Sequence, residues 1–319
     1  MYRIAVFLIL SVVFLLKKRS DYERKQLKTE YYRFFSEKLS TPRRLVFLSD
    51  LHEAEFGEGN RQLMERLREL RPELILIGGD FIVSRKYRGE GRDCTDQVER
   101  TAALLRELRQ EYPVIYALGN HESRMLGKAG CGEQGLFCRM PESLRQRAQK
   151  AAARWNDALS GIELLDRRSI CMAEMPELRI SGLTLPLSYY GKLFFRKKKP
   201  LSDAEYAEYS GGTTGKIAEK ERFQIVLLHS PLYHKEAIRN GADLVLSGHF
   251  HGGTVRLPYL GGLMSPQFQL FRKECAGVFP YRNGRMLVNR GMGTHSVNVR
   301  LNDLPEISVI DLLPPERKA

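Results

Sequence analysis

Leu244-Val245-Leu246-Ser247-Gly248-His249-Phe250-His251-Gly252-Gly253 is the stretch that decides the fold. An uninterrupted aliphatic run with no polar alternation suits a strand covered on both faces. The residues that follow it can bind metal and stand at the strand's carboxyl end, where open α/β sheets bind their ligands. The same grammar occurs upstream. Leu45–Leu48 runs into Ser49-Asp50-Leu51-His52, and Leu74–Ile77 into Gly78-Gly79-Asp80. Val114–Leu118 runs into Gly119-Asn120-His121-Glu122, and Ile225–Leu228 into His229-Ser230-Pro231.

Helical patterns separate these runs. Gln62–Leu70 places Leu63, Leu67 and Leu70 on one face, and Gln97–Arg109 does so with Val98, Leu104, Leu105 and Leu108. Alternation of strand and helix predicts an α/β layered fold. Arg285–Asn289 and Ile307–Leu312 read as later strands, so a second sheet is expected.

The strand-end inventory is chemically specific. Two Asp, one Asn and four or five of the chain's 7 histidines supply hard oxygen and borderline nitrogen donors. That mixture suits Mn²⁺, Fe²⁺ or Zn²⁺ better than Mg²⁺ or Ca²⁺. It exceeds the needs of one tetrahedral ion. Two cations about 3.5–4 Å apart would use the whole set and stabilise both oxygens of an in-line displacement at phosphorus. The neighbouring glycines allow close backbone approach.

Taken in order, D-x-H, GGD, GNHE, an isolated His and GHFHGG resemble the calcineurin-like metallophosphoesterase superfamily over residues 43 to 312. GHFHGGTVRLP, Gly261-Gly262-Leu263, Val288–Gly293 and Leu304–Ile307 are similar to its membrane-associated bacterial group. The resemblance implies a four-layer α/β sandwich, two mixed sheets flanked by helices. It implies that Asp50, His52 and His251 hold one divalent metal ion, that Asn120, His229 and His249 hold a second, and that Asp80 bridges them. His121 would stay unbound and protonate the leaving oxygen. Glu122 stands where many relatives have Asp, and would orient His121 or brace its loop. The expected activity is a metal-dependent phosphohydrolase cleaving an ester or anhydride, with a lipid- or nucleotide-linked substrate as the first reading. A phosphodiesterase or phosphomonoesterase on a soluble substrate such as a cyclic nucleotide is the second. A non-catalytic metal-binding scaffold is the third, and a complete ligand set argues against it.

The rest of the chain bears on location. The 319 residues carry a net charge of +13, compatible with nucleic acid, an anionic membrane or a phosphorylated substrate. No nucleic-acid-binding motif accompanies the charge. Five cysteines without a CxxC do not make a disulfide framework or zinc site, and favour a reducing compartment. Ile4–Leu16 has Ser11 as its one polar residue and is followed by Lys17-Lys18-Arg19. It is expected to be a membrane-anchor helix within residues 1–19, short of the roughly 20 apolar residues of a full span. The basic flank puts the body in the cytoplasm. Residues 20–42 read as a charged helical connector ended by Pro42, and residues 43–319 as the catalytic domain.

Residues 183 to 221 break the alternation and read as an insertion. Tyr189, Tyr190, Leu193, Phe194 and Phe195 precede Arg196-Lys197-Lys198-Lys199. The segment suits an interfacial contact with anionic lipid, a cap over the site, or a solvated loop. The apolar loop Leu257–Pro266 suggests a substrate with a hydrophobic part. His234 reads as a surface residue and His295 as a solvated loop residue after the turn Gly291–Gly293, with the site rim as the alternative.

Overall fold

The computed structural model describes residues 2–84, 94–125, 142–194, 196–212, 221–294 and 297–315. The strands of the first sheet are β1 (Lys28–Phe35), β2 (Arg43–Leu48), β3 (Leu74–Ile77), β4 (Val114–Ala117), β5 (Glu163–Leu165) and β15 (Glu306–Leu313), in the order β1-β15-β2-β3-β4-β5. β2 to β5 are mutually parallel, and β15 is antiparallel to β2. The second sheet holds β6 (Arg168–Met172), β7 (Met175–Gly182), β8 (Phe223–Leu227), β9 (Leu244–Ser247), β13 (Gly277–Tyr281) and β14 (Gly284–Val288), in the order β13-β14-β9-β8-β7-β6. A small antiparallel sheet, β10 (Arg256–Leu257), β11 (Gly261–Met264) and β12 (Leu270–Arg272), follows the last metal-capable motif.

Strand periodicity sorts the aliphatic runs into layers. Leu45, Phe47, Leu74, Leu76 and Ile115 face Ile180, Ile225, Leu227, Leu244 and Leu246, forming the core between the sheets. Val46, Leu48, Ile75 and Ile77 turn the other way, onto α2 (Arg61–Leu70), α3 (Cys94–Glu111) and α5 (Glu142–Leu159). On the far side, Val226, Leu228 and Val245 meet α6 (Asp203–Tyr209) and α7 (His234–Arg239). The result is helices, sheet, sheet, helices, with both central sheets mixed.

Two expectations, the helical connector and the exposure of His234, need correction. The connector is helical only at its start. α1 (Tyr2–Glu23) ends there, and β1 pairs in parallel with β15 from Lys28–Glu306 to Phe35–Leu313. As an edge strand, β1 keeps most of its side chains partly or fully exposed, so its charged sequence hides it. Among the described residues no helix is long and apolar enough to cross a membrane, although α1 leaves Phe7, Leu8, Ile9, Leu10 and Phe14 exposed. His234 is buried, with Nδ1 2.8 Å from the Pro231 carbonyl, and is not a surface residue.

The inter-sheet core makes a direct prediction. Leu76 is fully buried between the sheets. Leu76→Ala should lower unfolding free energy in urea by about 2–5 kcal/mol, whereas Val278→Ala on the exposed edge strand β13 should stay within about 0.5 kcal/mol.

Candidate metal centre

All five motifs reach the carboxyl ends of central strands, β2, β3 and β4 in one sheet and β8 and β9 in the other. Two glycines allow close approach there, Gly248 between the sheets and Gly79 between adjacent strand ends of one sheet. A Cβ on Gly248 would lie 2.0 Å from Ser49 Oγ and 2.2 Å from Asp50 Oδ2. Gly79 has φ 91, and its Cβ would lie 2.2 Å from the Gly119 nitrogen. The ligand candidates themselves are bent. Asp50, His52, Asp80, His249 and His251 have φ of 52, 46, 55, 66 and 47. Such a conformation costs a non-glycine residue on the order of 1–3 kcal/mol and persists only where surrounding bonds enforce it. Asp50 N donates to Gly79 O at 2.9 Å, and His52 N donates to Asp80 O at 3.0 Å.

The side chains form overlapping groups: Asp50, His52 and His251; His52, Asp80 and His121; Asp80, His229 and His249, each group with donor atoms within 4.8 Å of one another. His52 Nε2 stands 3.1 Å from His251 Nε2, and Asp50 Oδ1 is 3.5 Å from His251 Nε2 and 3.8 Å from His52 Nε2. Ligand atoms about 2.0–2.2 Å from a shared ion stand roughly 3–3.5 Å from one another. Asp80 Oδ2 lies 3.0 Å from His229 Nε2. Asn120 opens α4 (Asn120–Met125), and its Oδ1 is buried with no hydrogen-bond partner. A buried amide oxygen without a donor is costly unless a cation meets it.

Hydrogen bonds set the tautomers. His229 Nδ1 donates to Gly78 O at 2.8 Å, and His251 Nδ1 donates to Gly293 O at 3.3 Å. Each therefore turns Nε2 toward the carboxylates, the nitrogen that can offer its lone pair to a metal once any proton there is displaced. His121 is the reverse case. Its Nδ1 accepts from Ser84 N at 2.9 Å, so its proton belongs on Nε2, 4.0 Å from Asp80 Oδ2. A protonated Nε2 is a donor and not a ligand.

Electrostatics agree with a cation site. Burial pushes Asp50 up to about 6, against the pull of His229. Burial also opposes ionisation of Asp80, but His229, His121 and His52 hold it well below the usual carboxylate range. For His229 burial disfavours charge, yet Asp80 and Asp50 push it up to about 10. A proton held between two buried carboxylates is what an incoming divalent ion displaces. The residues present therefore fit a pair of divalent cations.

Glu122 acts behind this set. Fully buried, it accepts from Asp80 N and Phe81 N at 2.8 Å, from Gly119 N at 3.0 Å and from the Tyr116 hydroxyl at 2.7 Å. It braces the loops after β3 and β4 and makes no bond to His121. Sequence reasoning missed Ser84, Tyr116 and Ser49, whose hydroxyl donates to Asp50 Oδ2 at 2.7 Å. Of these, only Ser49 is signalled by position, beside Asp50. Also missed was the placing of Tyr190, whose ring meets that of His249 edge-on at 5.1 Å between centroids. Part of the insertion thus packs on the site. Lys198 is not at a solvated tip, since its Nζ donates to Glu236 at 2.8 Å and lies 4.4 Å from the centroid of the Tyr233 ring. Cys171 and Cys275 are free thiols. Cys131, Cys138, Phe195 and His295 lie outside the described residues.

Comparison with known proteins follows the same lines. The calcineurin-like phosphoesterase family model matches residues 43–253. The metallophosphoesterase YkuE of Bacillus subtilis is 24% identical over 271 residues, 84% of this chain and 78% of its own length. The phosphodiesterase YaeI of Escherichia coli is 24% identical over 277 residues, 86% of this chain and 83% of its own. A dimetal phosphatase structure from Danio rerio aligns over 78% of this chain and 87% of its own with TM-score 0.38 and 13% identity, too distant to add weight.

Asp80 touches the widest part of the site. Asp80→Asn should lose most bound divalent metal by elemental analysis, because an amide cannot offset the charge of two cations. Retention of two ions per chain would exclude a bridging role.

Proposed function

Since this chain belongs to the calcineurin-like phosphoesterase family and is a metallophosphoesterase hydrolase, we propose that it uses a two-metal centre to cleave a phosphate ester or anhydride in a lipid- or nucleotide-linked substrate. The observation that carries the catalytic part is the contrast in tautomers. His229 and His251 keep their Nδ1 protons on backbone carbonyls and turn the metal-capable Nε2 to the carboxylates, while the Nδ1 of His121 accepts a bond, so that its proton sits on Nε2.

Asp50, His52 and His251 would hold one ion, Asn120, His229 and His249 the other, with Asp80 between them. Mn²⁺, Fe²⁺ and Zn²⁺ suit this donor set. When bound, two such ions stabilise charge on a phosphoryl oxygen and lower the pKa of water. The remaining work falls to the chain. His121 delivers the Nε2 proton to the leaving oxygen, held in aim by Ser84, whose hydroxyl in turn accepts from Arg124 Nη1 at 3.0 Å. Glu122 keeps Asp80 and Asn120 in register from below.

A lipid-linked substrate is supported by a cavity of about 230 Å³ that begins at His251. Met264, Pro266, Phe268, Val297 and Val299 make its wall apolar, and Lys192 stands at its edge. A diester is the second reading, favoured by the name of YaeI. Our proposal extends to location: residues 1–19 attach the domain to a membrane, with the catalytic face in the cytoplasm. The exposed apolar side chains of α1, followed by Lys17, Lys18 and Arg19, support it.

His121→Asn should keep its metal and lose about 10²–10⁴-fold in turnover, least with nitrophenyl esters, whose leaving groups need little protonation. Loss of metal would make His121 a ligand and defeat the assignment. Deleting residues 1–18 should move the protein to the soluble fraction and leave nitrophenyl-ester hydrolysis intact. Persistence in the membrane fraction would shift attachment to another surface.

A further inference from the structure

We infer that Arg300 is a positioning residue for the metal centre, and that the N-terminal helix α1 sets its placement through Ser20 and Glu23. The inference rests on the two-metal reading and concerns the ion assigned to Asp50, His52 and His251.

Arg300 is 1% exposed and lies at the end of a chain of bonds that starts on α1. Ser20 Oγ accepts from Arg300 N at 3.0 Å, and Glu23 Oε2 accepts from Asp303 N at 3.3 Å. Glu23 is itself held by Arg19 Nε at 2.7 Å. The last turn of α1 thereby docks on the segment 300 to 303. From there the guanidinium fans out. Nη1 donates to the Asp303 carbonyl at 3.1 Å, and Nη2 donates to the carbonyls of Arg290 and Gly291 at 3.0 Å and of Gly293 at 2.8 Å. The rigid fork of Arg suits such a multiple grip, which the single point charge of Lys does not reproduce.

The segment it grips lies against the metal site. Gly293 O also accepts from His251 Nδ1, so one oxygen joins Arg300 to the ring that turns Nε2 toward Asp50. Gly293 N donates to Asp50 O at 2.7 Å. A Cβ on Gly291 would lie 2.8 Å from Asp50 Cβ and 3.3 Å from His251 Nδ1. Asp303 presses on the other side, since a Cβ on Gly252, next to His251, would meet its Oδ1 at 1.8 Å. None of these bonds reaches His229 or Asn120. Partners behind a ligand commonly set metal affinity by about 10–100-fold. The helix read as the membrane attachment is therefore built into one half of the centre and spares the other.

The test uses the full chain as wild type, Ser20→Ala/Glu23→Gln, Arg300→Lys and Arg300→Met. Mn²⁺ binding is followed by calorimetry, and unfolding of the metal-free protein by circular dichroism in chelator. The double variant should weaken one of two ions about 3–10-fold and leave the other unchanged, with the metal-free unfolding midpoint preserved. Arg300→Met should weaken the same ion about 10–100-fold, and Arg300→Lys should recover part of it. Wild-type affinity for both ions in the double variant would overturn the inference. So would equal weakening of both ions in step with a lowered midpoint, the mark of a merely structural role. A wild type that binds no Mn²⁺ would instead defeat the two-metal reading itself.

Discussion

Two buried carboxylates, Asp50 and Asp80, face three imidazoles carried by the opposite sheet, and the rest of the structure answers to that arrangement. Buried negative charge is stable only when paired or coordinated. His229 between the two carboxylates supplies one counter-charge, and the convergence of donor atoms provides for metal. The left-handed backbone of five ligand candidates is the local cost of bringing them to one point. Asp50, His52 and Asp80 are held there by backbone bonds between the loops after β2 and β3, and His249 by its N–H donating to the Asp50 carboxylate at 2.9 Å.

The layered architecture makes this possible. Because β2, β3 and β4 are neighbours in one sheet and β8 and β9 in the other, their carboxyl ends lie along one rim of the sandwich. The two sheets then approach through glycine, most closely where Gly248 meets Ser49 and Asp50. Glu122 shows the same logic one step further back. A carboxylate that receives two backbone donors from the β3 loop, one from the β4 loop and a tyrosine hydroxyl fastens adjacent strand ends together.

Segments that looked peripheral are joined to the centre. The charged stretch after α1 supplies an edge strand, and Tyr32 of that strand donates to Glu306 at 3.0 Å. The insertion brings Tyr190 onto His249 and closes Lys198 against Glu236. The last turn of α1 reaches the carbonyls behind His251 through Arg300. Each of these contacts spans a long distance in sequence and has no periodic signature.

Sequence alone determined the strand-end residues, the α/β alternation and the family, because buried strands need unbroken aliphatic runs and metal chemistry needs particular donors next to them. Asp50, Asp80, Asn120 and the five histidines were legible for that reason. It did not reveal β1, whose exposed edge tolerates charge, nor the burial of His234, whose partner is a backbone carbonyl. Which ring nitrogen of His229, His251 and His121 faces the carboxylates was a matter for tertiary structure, since Gly78, Gly293 and Ser84 are distant in sequence from the rings they fix. A side chain's identity says what it can bind, but only the groups packed around it decide which atom is left to do so.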